Sequence, residues 1–106
     1  MVARGEVWLV GLDPTEGREI QKTRPCLIIS PPEINDHLDT LIVVPMTKGS
    51  WPARYRIEAT LNGQTGRFLL EQIRVIDKSR LLRKVGTVER ETLASTLNAL
   101  RAMFAE

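Results

Sequence analysis

The sequence predicts a mainly β protein, a small and strongly bent antiparallel barrel with one α-helix at its C-terminus. Three observations carry this. Short apolar runs rich in β-branched residues are separated by proline or Asn-Gly turn signals; the run from Arg54 to Leu61 alternates with period two; and past Thr87 the apolar period becomes helical. Five or six short strands with tight connections leave little room in 106 residues for any other architecture.

The elements follow in order. GEVWLVGL supplies Val7, Trp8, Leu9, Val10 and Leu12, and Asp13-Pro14 ends the run because proline has no amide hydrogen for the ladder. PCLIIS is a second strand, stopped by Pro31-Pro32. After a loop containing Asn35 and Asp36, TLIVVPM is apolar enough to be central in the sheet, with Pro45 ending its pairing. RYRIEATL sets Tyr55, Ile57, Ala59 and Leu61 on one face and Arg54, Arg56, Glu58 and Thr60 on the other. Asn62-Gly63 is the preferred chemistry for a tight hairpin, returning through GRFLLEQIRVI. LLRKVGTV is a further strand. With Thr87 as N-cap, ERETLASTLNALRAMF aligns Leu93, Leu97, Leu100 and Phe104 on one helical face, with Glu89 and Glu91 in the first turn. This helix is expected to cap the sheet.

Length and composition bound the remainder. One domain spanning residues 1–106 is expected, and a chain this short buries a modest core that dimerisation would supplement. The formal net charge of +2 is too small to announce nucleic-acid binding, yet its distribution is uneven. Five basic residues face seven acidic ones from Met1 to Ala53, and ten face six from Arg54 to Glu106. The excess is densest at Arg74, Lys78, Arg80, Arg83 and Lys84, a stripe that suits a phosphate backbone or a solvated, aggregation-resistant strand edge. A single cysteine, Cys26, excludes an internal disulfide, and its apolar neighbours favour a buried small hydrophobe. No signal-peptide pattern and no apolar run of about 20 residues occurs, so a cytoplasmic protein with no membrane contact is expected.

The chemistry available is narrow. His37 is the only histidine, so a two-imidazole acid and base pair is impossible within one chain, and its polar loop favours a solvated role. HExxH, Walker and GxSxG patterns are absent and the carboxylates show no metal-ligand spacing, so neither metal nor cofactor is expected. Arginine, glutamate, threonine and glutamine near strand ends remain. They suit stabilisation of negative charge on a phosphate or carboxylate. Two loops, from Asp13 to Thr23 and from Pro31 to Asp39, are long for a hairpin protein.

RGEVWLVGLDPTEG, EIQKTRPCLIIS, VVPMT, and EQIRVIDKSRL followed by VGTV occur in that order from Arg4 onward. In these motifs the chain resembles the MazF/PemK family of toxin endoribonucleases from type II toxin-antitoxin modules. The resemblance implies an SH3-like barrel, a homodimer, a cognate acidic antitoxin, and metal-independent cleavage of single-stranded RNA, usually mRNA, at short motifs. The implied chemistry is attack of the ribose 2'-hydroxyl on phosphorus, leaving a 2',3'-cyclic phosphate and a 5'-hydroxyl. Arg24 matches the family's catalytic arginine, Thr47 its second recurrent position, and Glu19 and Glu71 its acidic positions. Gln72, Arg74, Lys22, Lys78 and Arg80 are the expected RNA contacts. A base, a cation for the phosphorane and a proton source for the leaving oxygen are what such a reaction requires.

The chain departs from the family at Leu69, where some members carry arginine, and at Ile20 and Lys22, where a polar residue and glycine are commoner. Arg74 is one substitute for the missing arginine. Trp51 and Tyr55 flank the segment after Thr47 and suit stacking on an unpaired base, or burial in the core. Two alternatives of other classes stand beside the nuclease: a noncatalytic topoisomerase inhibitor like the CcdB poisons, which share the fold, and a barrel that binds RNA without cutting it.

Overall fold

A computed structural model describes residues 1–12, 16–19 and 22–106. In chain order it contains β1 (Glu6–Gly11), β2 (Thr23–Ile28), α1 (Pro32–Asn35), β3 (Thr40–Thr47), β4 (Arg56–Leu61), β5 (Gln64–Leu69), β6 (Arg74–Asp77), β7 (Leu81–Thr87) and α2 (Arg90–Phe104). All described strand pairings are antiparallel. The sheet runs β4-β5-β3-β2-β1-β7, with β6 also paired to β3. It curls into a half-barrel with a helix packed on it, as expected for a mainly β chain with one C-terminal helix.

β3 is the hub, as its apolar composition predicts. Alternate residues of β2 and β3 enter different cores, which explains why both strands read as nearly continuous apolar runs. Leu27, Val44 and Met46 join Val7, Ala59, Phe68, Leu70 and Leu100 in one core. Cys26, Ile28, Leu41 and Val43 join Val10, Leu12 and Ile76 in the other. Buried Cys26 is the small hydrophobe its neighbours suggest, and burial pushes its thiol up to about 12 against the pull of Arg74.

Pro45 does not end the pairing of β3. It is buried and sits opposite Cys26, and β3 continues to Thr47. The interruption falls in the neighbouring strand instead. β5 pairs with β3 through Phe68 opposite Met46 and Arg67 opposite Thr47, whereas β6 pairs through Arg74 opposite Val43. Residues 69–73 therefore face only Val44 and Pro45, and Leu70–Gln72 leave the ladder as a short 3-10 helix with Leu70 buried and Glu71 exposed. A position that lacks an amide hydrogen is where a partner strand can leave at least cost.

The hairpin between β4 and β5 forms as read. Leu61 pairs with Gln64, and the two turn residues Asn62 and Gly63 have φ of 51° and 78°, the left-handed pair that a two-residue turn requires. On β4, Ala59 is buried while Glu58 and Thr60 are exposed, as the alternation demands.

Three expectations for the ends need correction. Thr87 belongs to β7, and Glu89 holds the cap position of α2 without a side-chain cap bond. Phe104 is 69 % exposed, because only Leu93, Leu97 and Leu100 of that stripe lie over the sheet. The loop after β2 contains a helical turn, α1, started by Pro32 in its first position. Asn35 is buried there, donating to the Ser30 carbonyl (2.7 Å) and accepting from the Ser30 hydroxyl (2.6 Å), so its polar groups are satisfied. The Asp13-Pro14 strand stop lies outside the described residues.

Candidate functional site

Arg24 stands near the start of β2 opposite Val10. The β2–β3 register ends at Cys26 opposite Pro45, and Arg24 and Thr47 lie two residues beyond that pair on their respective strands. Pro25 holds Arg24 extended and contributes no amide of its own. Thr47, the last residue of β3, faces Arg67 of β5 on its other side. Residues 23 apart in sequence are thus brought together across two adjacent strands.

Both line a cleft of ≈ 640 Å³ at the mouth of the half-barrel. Its floor includes Leu9, Pro25, Met46, Leu61 and Val85, and its walls carry Arg24, Lys48 and Arg83 with Thr47, Asn62, Gln64 and Thr65. None of its lining residues among those described is acidic. Three cations around neutral donors, with no carboxylate among the described lining residues, suit a polyanion. Lys48 and Arg83 escaped sequence reading: Lys48 is one residue past a recognised motif, and Arg83 was one of several equal members of the basic stripe.

Glu19 and Glu71 do not line this cleft. With Arg18, Gln72 and Arg74 they line a second one of ≈ 340 Å³, floored by Leu12, Pro45 and Ile73. Pro25 and Met46 of the first cleft are in phase with Leu27 and Val44, and Pro45 of the second with Val43 and Cys26. The floors of the two clefts therefore belong to opposite faces of the β2–β3 pair.

Each acid already has a partner. The Glu19 carboxylate accepts the Glu16 amide hydrogen (2.8 Å), closing its own turn. Glu71 lies on the 3-10 helix and is ion-paired with Arg56 at 2.9 Å. Arg56 is the cross-strand neighbour of Leu69. The guanidinium that Leu69 fails to supply thus comes from the adjacent strand, while Arg74 lies on the other flank of the turn. Gln72 donates to the Arg18 carbonyl (3.4 Å), tying the loop before β2 to this turn.

Lys22 has φ of 67° and accepts the Leu12 amide hydrogen at its carbonyl (2.9 Å). It adopts the left-handed backbone that glycine takes at less cost, so the loop keeps a glycine-like shape without glycine. Ile20 lies outside the described residues.

The basic stripe is not one track. Lys78 donates to the Asn35 carbonyl (2.6 Å), Arg80 to the Gly11 carbonyl (3.0 Å), and Lys84 pairs with Glu6 (3.0 Å). Arg83 faces the first cleft and Arg74 the second. Trp51 and Tyr55 also separate: Trp51 is 82 % exposed, whereas Tyr55 packs on the first core with the Arg54 guanidinium 5.3 Å from its ring centre. Exposed His37 is in neither lining. Among the described residues, no three His, Cys, Asp or Glu side chains are grouped to hold a metal ion, and no helix is long and apolar enough to cross a membrane.

A curled β half-barrel with a cationic cleft at its mouth defines a class of small proteins suited to hold a phosphate chain across strand ends. Within that class the chain belongs to the PemK-like, MazF-like toxins of type II toxin-antitoxin systems, matching that family over residues 3–104. It is 41 % identical over 100 residues to endoribonuclease PemK of Escherichia coli, covering 85 % of this chain and 75 % of the relative. It is 35 % identical over 111 residues to endoribonuclease MazF9 of Mycobacterium tuberculosis, covering 95 % and 94 %. The fold matches crystalline MazF from Deinococcus radiodurans with a TM-score of 0.86 at 21 % identity over 96 % of this chain and 94 % of that one. A mycobacterial endoribonuclease solved with its cognate antitoxin matches with a TM-score of 0.82 at 21 % identity, covering 96 % and 93 %.

Proposed function

We propose that this chain is the toxin of a type II toxin-antitoxin pair and cuts single-stranded RNA, mRNA above all, in the cytoplasm without a metal ion. The observation that carries the reading is that Arg24 and Thr47 line one cleft with three cations and, among the described residues, no acid. Membership of a family whose relatives are named endoribonucleases supports it. The noncatalytic alternatives find no support among these relatives.

In the proposed reaction the 2'-oxygen bonds to the adjacent phosphorus, its proton passes to a base, and the bond from phosphorus to the 5'-oxygen breaks as that oxygen is protonated. The products are a 2',3'-cyclic phosphate and a 5'-hydroxyl. Arg24 holds two nonbridging oxygens with its planar fork and offsets the charge of the phosphorane, acting as an electrostatic stabiliser in preference to a proton donor. The Thr47 hydroxyl donates to a phosphate oxygen and relays a proton. The base is Glu19 or Glu71, reaching the substrate from the second cleft. Gln72 and Arg74 beside these acids, and Lys22 at the foot of the loop, contact the flanking nucleotides. Lys78 and Arg80 act on RNA less directly, since each already braces a carbonyl.

We place the active form as a homodimer with an acidic antitoxin partner, whose carboxylates fit the same cationic cleft. Purified protein in EDTA is expected to cut single-stranded RNA. Arg24→Ala is expected to lose at least about 10²-fold in rate, the usual effect of removing a charge-stabilising donor. Intact RNA with folded wild type would reject the reading.

A further inference from the structure

We propose that Trp51 is a stacking platform for an unpaired base next to the phosphate held by Arg24 and Thr47. It would set the enzyme's preference for single strands and its affinity at one flanking nucleotide. This rests on the ribonuclease reading.

The placement comes first. Thr47, Lys48 and Gly49 line the cationic cleft, and Trp51 follows two residues later. Tryptophan is among the most buried residue types on average, yet this ring is 82 % exposed and belongs to neither core. Nothing in the packing of the fold explains it.

The mount comes second. Arg67 donates to the Ser50 carbonyl (2.8 Å), pairs with Glu58 (3.4 Å), and lies opposite Thr47 in the β3–β5 register. One guanidinium therefore fixes the backbone immediately before Trp51 to the strand beside the candidate catalytic threonine. Pro52 follows and confines Trp51 to extended backbone. Four residues after Pro52, Arg56 donates its amide hydrogen to the Ala53 carbonyl (3.1 Å), closing the segment onto β4. An exposed aromatic on a tethered segment pays little ordering entropy when it binds.

The chemistry comes third. Lys48 and Arg83 in the adjacent walls suit backbone phosphates, and a ring outside them meets the base those phosphates carry. A paired base has no free face to offer, so the platform selects single strands. Tyr55 cannot share this role, because it is packed on the core beneath Arg54.

Trp8, half-buried and bonded to Glu6 (3.0 Å), is the other tryptophan, so Trp8→Phe leaves Trp51 as the sole indole reporter. Titration of that variant with a fully 2'-O-methylated RNA, which cannot undergo 2'-hydroxyl attack, is expected to quench its fluorescence with single strands and not with duplex. Trp51→Ala is expected to raise KM for a cleavable RNA about tenfold, within the roughly 5- to 150-fold range of base stacking, with little change in kcat. Trp51→Phe should recover most of that loss. Removing the base of one nucleotide beside the cleavage site should weaken wild type about as much and leave Trp51→Ala unaffected. Unchanged KM for Trp51→Ala on an RNA that wild type cuts would overturn the platform while leaving the ribonuclease reading intact. Equal quenching by duplex, or a loss confined to antitoxin affinity, would also overturn it. Absence of cutting by wild type would overturn both.

Discussion

Glu19 and Glu71 differ in what holds them, and that difference is testable one residue at a time. Glu19 is engaged by its own turn through the Glu16 amide, whereas Glu71 is held across strands by Arg56. One of Glu19→Gln and Glu71→Gln is expected to lower kcat by about 10²–10⁴-fold and to remove the acidic limb of the pH-rate profile, with the other within a few-fold of wild type. Two near-normal variants would place the base elsewhere. Cys26 makes a second prediction, on stability. Its folded thiol titrates near about 12 against the 9.0 of an ordinary thiol, so between those values the unfolded chain has lost a proton that the folded chain keeps. Stability is unaffected below the lower value and falls as pH rises from it towards the higher. Urea midpoints from pH 8 to 10.5 should therefore fall more steeply for wild type than for Cys26→Ala; equal slopes would contradict it. At this scale Arg24, Thr47 and the burial of Cys26 were legible because neighbours in sequence define them. Lys48 and Arg83 were not, since only the curl of the sheet brings β7 and the end of β3 to one cleft.

Among the elements, the turn between β5 and β6 matters most. GRFLLEQIRVI reads as one continuous strand, and nothing local marks the turn at Leu70–Gln72. Its cause lies on β3, where Pro45 has no amide hydrogen and the neighbour leaves the ladder. The proline was legible, but its consequence appears in a different strand. By contrast the β4–β5 hairpin was fully legible, because Asn62-Gly63 and the alternation of β4 are local signals. Gly66 in that hairpin explains how β5 braces the site. A Cβ there would sit 2.9 Å from the Thr47 carbonyl oxygen and 2.9 Å from the Met46 terminal methyl. Gly66→Ala is therefore expected to cost about 1–3 kcal/mol in urea unfolding and to lower kcat, since the strand bearing Thr47 must move. Normal kcat in that variant would show that Thr47 tolerates displacement.

For the whole molecule, charge is sorted by position more than by total. A net charge of +2 conceals a cleft whose charged lining, among the described residues, is all cationic on one face of the β2–β3 pair and a mixed acidic and basic one on the other. The sequence showed the excess of cations in the second half, but it could not show that Lys78, Arg80 and Lys84 are spent on carbonyls and on Glu6. Under the proposed mechanism phosphate binding falls to the first cleft, which Arg24 lines, and proton transfer to the second. Incubation of single-stranded RNA in EDTA with wild type and with folded Arg24→Ala, followed by sequencing of the fragment ends, tests this most directly. Wild type is expected to give discrete fragments ending in 2',3'-cyclic phosphate and beginning with 5'-hydroxyl, with the variant giving almost none; equal cutting by Arg24→Ala, or intact RNA with wild type, would contradict it.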